Sequence, residues 1–148
     1  MKPETAVRLD RTVGRFVYPV HRTLYRLTGG RIGQKSAQGP ILLLTTTGRK
    51  SGQARTHPLL YMPDGDNYVV VASNGGRDQP PAWWLNLRAQ PRAEIQVGRD
   101  RIPVQADVLG PAEKEEIWPR VTAFYQGWGH YQTLTNRDIP VVVLRPVR

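Results

Sequence analysis

Two hydrophobic periods divide this chain. From residue 8 to residue 27 the apolar positions recur at helical spacing. At about 100° per residue, Leu9, Val13, Phe16, Val17, Val20, Leu24 and Leu27 share one arc of about 100°, while Arg8, Arg11, Arg15, Arg22 and Arg26 gather in another of roughly 60°. The pattern predicts a basic amphipathic helix, kinked at Pro19 and ended by Gly29 and Gly30. Beyond residue 40 the period shortens. Apolar or alternating runs at 41–47, 55–62, 67–73, 93–98, 101–109 and 139–145 read as strands. Pro63-Asp64-Gly65-Asp66 and Gly98-Arg99-Asp100 supply hairpin turns. Two further helices are predicted, from Pro81 to Leu87 and from Pro111 to about Tyr125, the second opened by Pro111, Glu113, Glu115 and Glu116. Helix does not alternate with strand, so the expectation is an α+β fold built on a small, mostly antiparallel barrel, not a doubly wound sheet.

Composition narrows the class. At 148 residues and 39% hydrophobic content the chain suits one domain with a real core. It has no cysteine, which excludes disulfides, thiolate metal sites and cysteine nucleophiles. No run of 18 apolar residues occurs, and the first residues lack a signal-peptide pattern, so a cytoplasmic protein is expected.

The net charge is +9, and eight of the 21 Lys and Arg fall within residues 1–35, against only Glu4 and Asp10. A basic amphipathic helix can cap the domain core, lie on an anionic membrane surface, or bind nucleic acid. Neither zinc-finger spacing nor an RNP-type segment is present, so no nucleic acid is expected. A peripheral contact with the inner face of the cell membrane stays open beside the core-capping reading.

The densest chemistry lies at 45–55, TTTGRKSGQAR, where the apolar run Ile41 to Leu44 enters a turn of glycine and cationic donors. Guanidinium groups of Arg49 and Arg55 fork onto phosphate or carboxylate, Lys50 adds a compact charge, and turn amides near Ser51 can converge on an oxyanion. A phosphorylated or polyacidic ligand is one reading, and an ordinary basic hairpin is the other. The spacing is not that of a Walker loop.

Two aromatic stretches follow. In 71–91 a strand ends at Ser73-Asn74-Gly75-Gly76, and a helix bearing Trp83 and Trp84 begins after two prolines. That pair can pack in the core or form one wall of a planar ligand's site. In 124–132, Gly127 and Gly129 predict a flexible segment on which Tyr125, Trp128 and Tyr131 recur every three residues. This face packs inward or forms a lid over a flat substrate. His21, His57 and His130 lack nucleophile–base spacing, and nothing supports a metal site.

Together these stretches resemble the deazaflavin-dependent nitroreductase and quinone reductase family, which uses coenzyme F-420. The resemblance spans roughly residues 12–147 and rests on LLLTTTGRKSGQAR at 42–55, VVVASNGG at 69–76, AWWLNLRAQP at 82–91 and YQTLTNRDIPVVVL at 131–144. It implies a split β-barrel of the flavin-reductase type over 36–148, preceded by the basic helix of 1–35. It further implies that Arg49, Lys50, Ser51 and Arg55 hold the phosphate and glutamyl tail of the coenzyme. Val71, Ala72, Ser73 and Asn74 would lie along the deazaflavin ring, with Ala82, Trp83 and Asn86 closing the cleft. Tyr125, Trp128 and Tyr131 match the family's substrate-pocket positions.

Trp128 stands where the nitroreductase archetype has tyrosine, and Leu60 where it has another. These departures bear on bulky nitroimidazole substrates, not on cofactor use. The implied reaction is hydride transfer from the reduced deazaflavin to a quinone, enone or nitroaromatic, with Tyr131 as proton or hydrogen-bond donor and Ser73 as the second candidate. The alternatives are a flavin-mononucleotide oxidoreductase of the same barrel type and a noncatalytic deazaflavin-binding protein.

Overall fold

In a computed structural model, which describes residues 35–36 and 39–147, eight strands form one antiparallel sheet. The strands are β1 (Lys35–Ser36), β2 (Gly39–Thr47), β3 (Ala54–Leu60), β4 (Met62–Asp64), β5 (Asn67–Val71), β6 (Arg92–Val97), β7 (Asp100–Val108) and β8 (Val141–Pro146). Three helices accompany them: α1 (Ala82–Ala89), α2 (Pro111–Phe124) and α3 (Gln126–Thr133). The predicted N-terminal helix lies outside the described residues.

The strand order explains the curl. β2 pairs with β3 along Ile41↔Leu60 to Thr47↔Ala54 and with β6 through Leu43↔Gln96 to Thr45↔Glu94. From β6 the sheet continues through β7, β8 and β5 to β4. β3 and β4 therefore stand at opposite ends of this path, yet Tyr61 alone joins them in sequence. One residue cannot cross a flat sheet, because it spans at most ~3.6 Å. The sheet must bend until its ends meet, and Tyr61 N–H donates to the Pro40 carbonyl at 3.1 Å where they do. The small antiparallel barrel expected from the strand pattern is what forms.

Period-2 alternation divides the core between the two faces of the sheet. Leu42, Leu44, Val70, Ala72, Val142 and Leu144 join Trp83, Trp84 and Leu87 of α1 in one cluster. Val69, Val71, Val141 and Val143 join Ile117 and Val121 of α2 and Trp128 of α3 in the other. β8 is buried on both faces, which is why its sequence is an unbroken apolar run.

One local expectation is corrected. Residues 126–133 are helical, not a flexible segment, despite Gly127 and Gly129. The reason is tertiary packing: the Tyr125 ring folds back over Gly127 so closely that a Cβ there would overlap it, and Thr122 of α2 lies against Gly129. These glycines make room for neighbours.

Candidate functional site

The β2–β3 hairpin ends in a six-residue loop over residues 48–53. Gly48 N–H donates to the Gln53 carbonyl and Gly52 N–H to the Gly48 carbonyl, both at 2.8 Å, and the Ser51 hydroxyl accepts the Gln53 N–H at 3.2 Å. A Cβ at position 48 would come within 2.6 Å of the Ser51 Oγ and 3.2 Å of the Gln53 carbonyl, so a larger residue there would push Ser51 out of its place in the loop. The loop is thus braced internally, while Arg49, Lys50 and Arg55 extend into solvent.

Asn86, only 4% exposed, ties this loop to α1. Its Oδ1 accepts the Arg49 N–H at 3.1 Å and its Nδ2 donates to the Thr46 hydroxyl at 3.0 Å. Across the hairpin the hydroxyls of Thr45 and Thr56 are 2.8 Å apart. Between loop, hairpin and helix lies a cavity of about 700 Å³. Arg49, Lys50, Ser51 and Arg55 line one side, Ala82, Trp83 and Asn86 the other. No carboxylate is among its described lining residues, and none of the ion pairs among the described residues involves its three cations. Such a site favours an anionic ligand with an apolar part: charge-assisted donors on one side, and a buried indole on the other.

Seven of the residues singled out in the sequence therefore meet in one cavity. Asn86 enters it differently from expectation, because both ends of its amide are engaged by the protein. The hairpin residues Thr45, Thr56 and His57 also line the cavity; the sequence reading gave the two threonines no role and weighed His57 only as a catalytic base. The available signal was register: Thr45↔Thr56 and Leu44↔His57 pair across the hairpin that carries the cationic loop. Trp84 lies in the core with the Arg88 guanidinium 5.9 Å from its ring centre.

Val71, Ala72, Ser73 and Asn74 lie outside that lining, at the end of β5, and the first three are buried. There the chain makes a tight turn: Ser73 is right-handed (φ −74, ψ −34), whereas Asn74 takes φ 48 and Gly75 φ 65. Asn74 Nδ2 donates to the Gln79 carbonyl at 2.8 Å, bracing the segment that leads into α1. The turn also packs against α3.

The aromatic positions separate. Trp128 is buried, stacked on Phe124 and edge-on to Tyr125 at 5.4 Å between ring centres. Tyr125 and Tyr131 are half-buried, with their hydroxyls 3.3 Å apart. They form a phenol pair above a buried indole.

Residues 17–146 match the family described as F420H(2)-dependent quinone reductase. The chain is 43% identical over 140 residues to an F420H(2)-dependent quinone reductase of Mycobacterium tuberculosis, covering 92% of this chain and 94% of that protein. It is similar to a solved F420-H2 dependent reductase, FDR-A, at 38% identity and TM-score 0.65, over 72% of this chain and 94% of the other. A second solved structure, described as a domain-swapped dimer, is 33% identical with TM-score 0.69 and covers 97% of this chain and 100% of its own.

Proposed function

The chain belongs to the F420H(2)-dependent quinone reductase family, and from that premise we propose that the cavity between the β2–β3 loop and α1 holds the anionic part of coenzyme F-420. The observation that carries this reading is the absence of any carboxylate around Arg49, Lys50 and Arg55 among the described lining residues. The donor set fits the coenzyme: three cations answer the phosphate and glutamyl carboxylates, and Trp83 and Ala82 give its planar end an apolar surface. When bound, the reduced coenzyme supplies the hydride for a quinone acceptor.

The protein's share is placement and charge. Asn86 holds the Arg49 backbone, so the loop need not be ordered at the moment of binding. Val71 to Asn74 would lie along the ring, with Ser73 as the second candidate donor. Tyr131 stabilises the oxygen on which charge develops by donating its hydroxyl, and the Tyr125 hydroxyl lies 3.3 Å from it. Trp128 supports these two rings from beneath. Enones and nitroaromatics share the flat, electron-poor form of a quinone and are proposed as further acceptors.

A peripheral contact with an anionic bilayer also belongs to this reading. It is supported by the opposed arginine and apolar faces in the sequence of residues 8–27. No helix among the described residues is long and apolar enough to cross a membrane.

The test is anaerobic oxidation of reduced coenzyme F-420 against quinone, enone and nitroaromatic panels, with co-sedimentation on anionic and neutral vesicles. Turnover with quinones and pelleting with anionic vesicles alone are expected. Coenzyme binding without turnover of any acceptor would make this chain a carrier instead.

A further inference from the structure

Arg137, in the loop between α3 and β8, makes three hydrogen bonds to backbone that the cavity does not use. Its Nε donates to the Arg77 carbonyl at 2.8 Å, and one Nη donates to the carbonyls of Ala72 at 3.1 Å and Ser73 at 2.8 Å. Thr135, two residues earlier, donates its hydroxyl to Asp78 at 2.8 Å, so the loop is fastened to the same turn twice. Burial pushes the guanidinium below its ordinary pKa, and nearby Asp78 opposes that shift. It stays charged in either case.

The consequence follows from peptide geometry. In a trans peptide the N–H points opposite to the C=O. With the Ala72 and Ser73 carbonyls aimed at the guanidinium, the N–H groups of Ser73 and Asn74 are turned away from it. Ser73 is right-handed and Asn74 left-handed, and this alternation makes successive N–H groups converge on a concave anion-receiving nest. The amides of Gly76 and Arg77 close the turn onto the carbonyls of Ser73 and Asn74, at 2.9 and 3.3 Å. No backbone hydrogen bond among the described residues occupies the N–H of Ser73, Asn74 or Gly75. Asn74, a residue type that tolerates the left-handed region, is braced by its own side chain on the Gln79 carbonyl, and the Arg137 fork fixes the carbonyls of Ala72 and Ser73 immediately before it.

We propose that Arg137 is a positioning residue for the reaction: it fixes the Ser73–Gly75 turn so that its N–H groups present a preformed donor set to a carbonyl or anionic oxygen of the coenzyme's ring system. This rests on the placement of the ring along Val71–Asn74 proposed above. An ammonium is a point charge on a flexible stem and cannot span three carbonyls as a planar fork does. Lysine should therefore fail to replace it.

The test uses amide NMR of the full chain with oxidised coenzyme F-420, together with steady-state kinetics. In the wild type, the Ser73, Asn74 and Gly75 amide protons should move downfield on binding, alongside changes at Arg49 and Lys50. Arg137→Gln and Arg137→Lys should lose the first set of shifts and keep the second. Their kcat should fall roughly ten- to a hundredfold, as expected for a misplaced site, with Kd for the coenzyme and KM for the quinone changed less than about threefold. Changes at Arg49 and Lys50 without any at Ser73–Gly75 in the wild type would overturn this inference alone, even if both variants failed to fold. No change at either place would overturn the proposed coenzyme site itself. A folded Arg137 variant with wild-type shifts and kcat would also overturn the inference.

Discussion

Asn86 on α1 accepts the backbone N–H of Arg49 at 3.1 Å, and in doing so connects the buried face of that helix to an exposed cationic loop. The bond matters because the loop's charges lie on exposed side chains, whereas its shape is set from within. A buried polar group left without its partner costs about 1–3 kcal/mol.

Asn86→Ala is therefore expected to destabilise the protein by about 1–3 kcal/mol, read as a fall in thermal midpoint of roughly 2–4 °C per kcal/mol for a chain of this size. Asn86→Asp should behave differently. Its carboxylate still accepts the Arg49 N–H, and the Thr46 hydroxyl can donate to it, so stability suffers less; but it adds a negative charge to an anion site. Coenzyme affinity should fall further for Asp than for Ala. The reverse order would show that the bond to the Arg49 N–H, which aspartate keeps, outweighs the added negative charge.

The cations themselves should govern affinity. Charge-assisted hydrogen bonds are worth roughly 1.5–3 kcal/mol, so Lys50→Ala or Arg55→Ala should each weaken coenzyme F-420 binding about ten- to a hundredfold. Both side chains are exposed, and raising the salt concentration should narrow the gap between variant and wild type. Calorimetric titration at two ionic strengths measures both effects.

Tyr131→Phe removes a hydroxyl and keeps the ring. If that hydroxyl stabilises charge only in the transition state, kcat should fall about ten- to a thousandfold while coenzyme affinity is retained. Tyr125→Phe, which removes the neighbouring hydroxyl at 3.3 Å, should have a smaller effect on kcat. Undiminished turnover by Tyr131→Phe would pass the donor's role to Ser73 or to water.

Trp128→Ala should be a stability variant first. The indole is buried between α2, α3 and the sheet, and truncating such a side chain typically costs about 3–5 kcal/mol. Gly127→Ala should be more selective: it displaces the Tyr125 ring from its place over residue 127 without emptying the core. Urea unfolding separates the two, with a large loss for Trp128→Ala and a smaller one for Gly127→Ala at equal or greater cost to kcat.

Much of this architecture is legible in the sequence because burial on one or both faces leaves a period-2 or continuous apolar signature, as in Ile41–Leu44 and Val141–Leu144. The cationic loop is legible as a turn, from glycine and clustered Lys and Arg at the end of an apolar run, although the same composition also suits an ordinary basic hairpin. Three features are not. The α3 helix is hidden because glycine weakens helix propensity locally, while the Tyr125 ring and Thr122 that need those glycines are visible only after folding. Asn86 reads as a ligand contact, because nothing in AWWLNLRA shows that its amide is used internally. Arg137 reads as one more cation, since its three carbonyl partners lie 60 or more positions away in the chain.

The central claim is that the coenzyme's phosphate and glutamyl tail occupy the cavity of Arg49, Lys50 and Arg55. Its most direct test compares dissociation constants for coenzyme F-420 and for the bare deazaflavin riboside, which lacks phosphate and glutamates, in the wild type and in the double variant Lys50→Glu/Arg55→Glu. The wild type should bind the full coenzyme at least about a hundredfold more tightly than the riboside, in line with two or more charge-assisted contacts, and the double variant should lose that preference while binding the riboside as before. Equal preference for the full coenzyme in both proteins would contradict the account and move the anion site elsewhere.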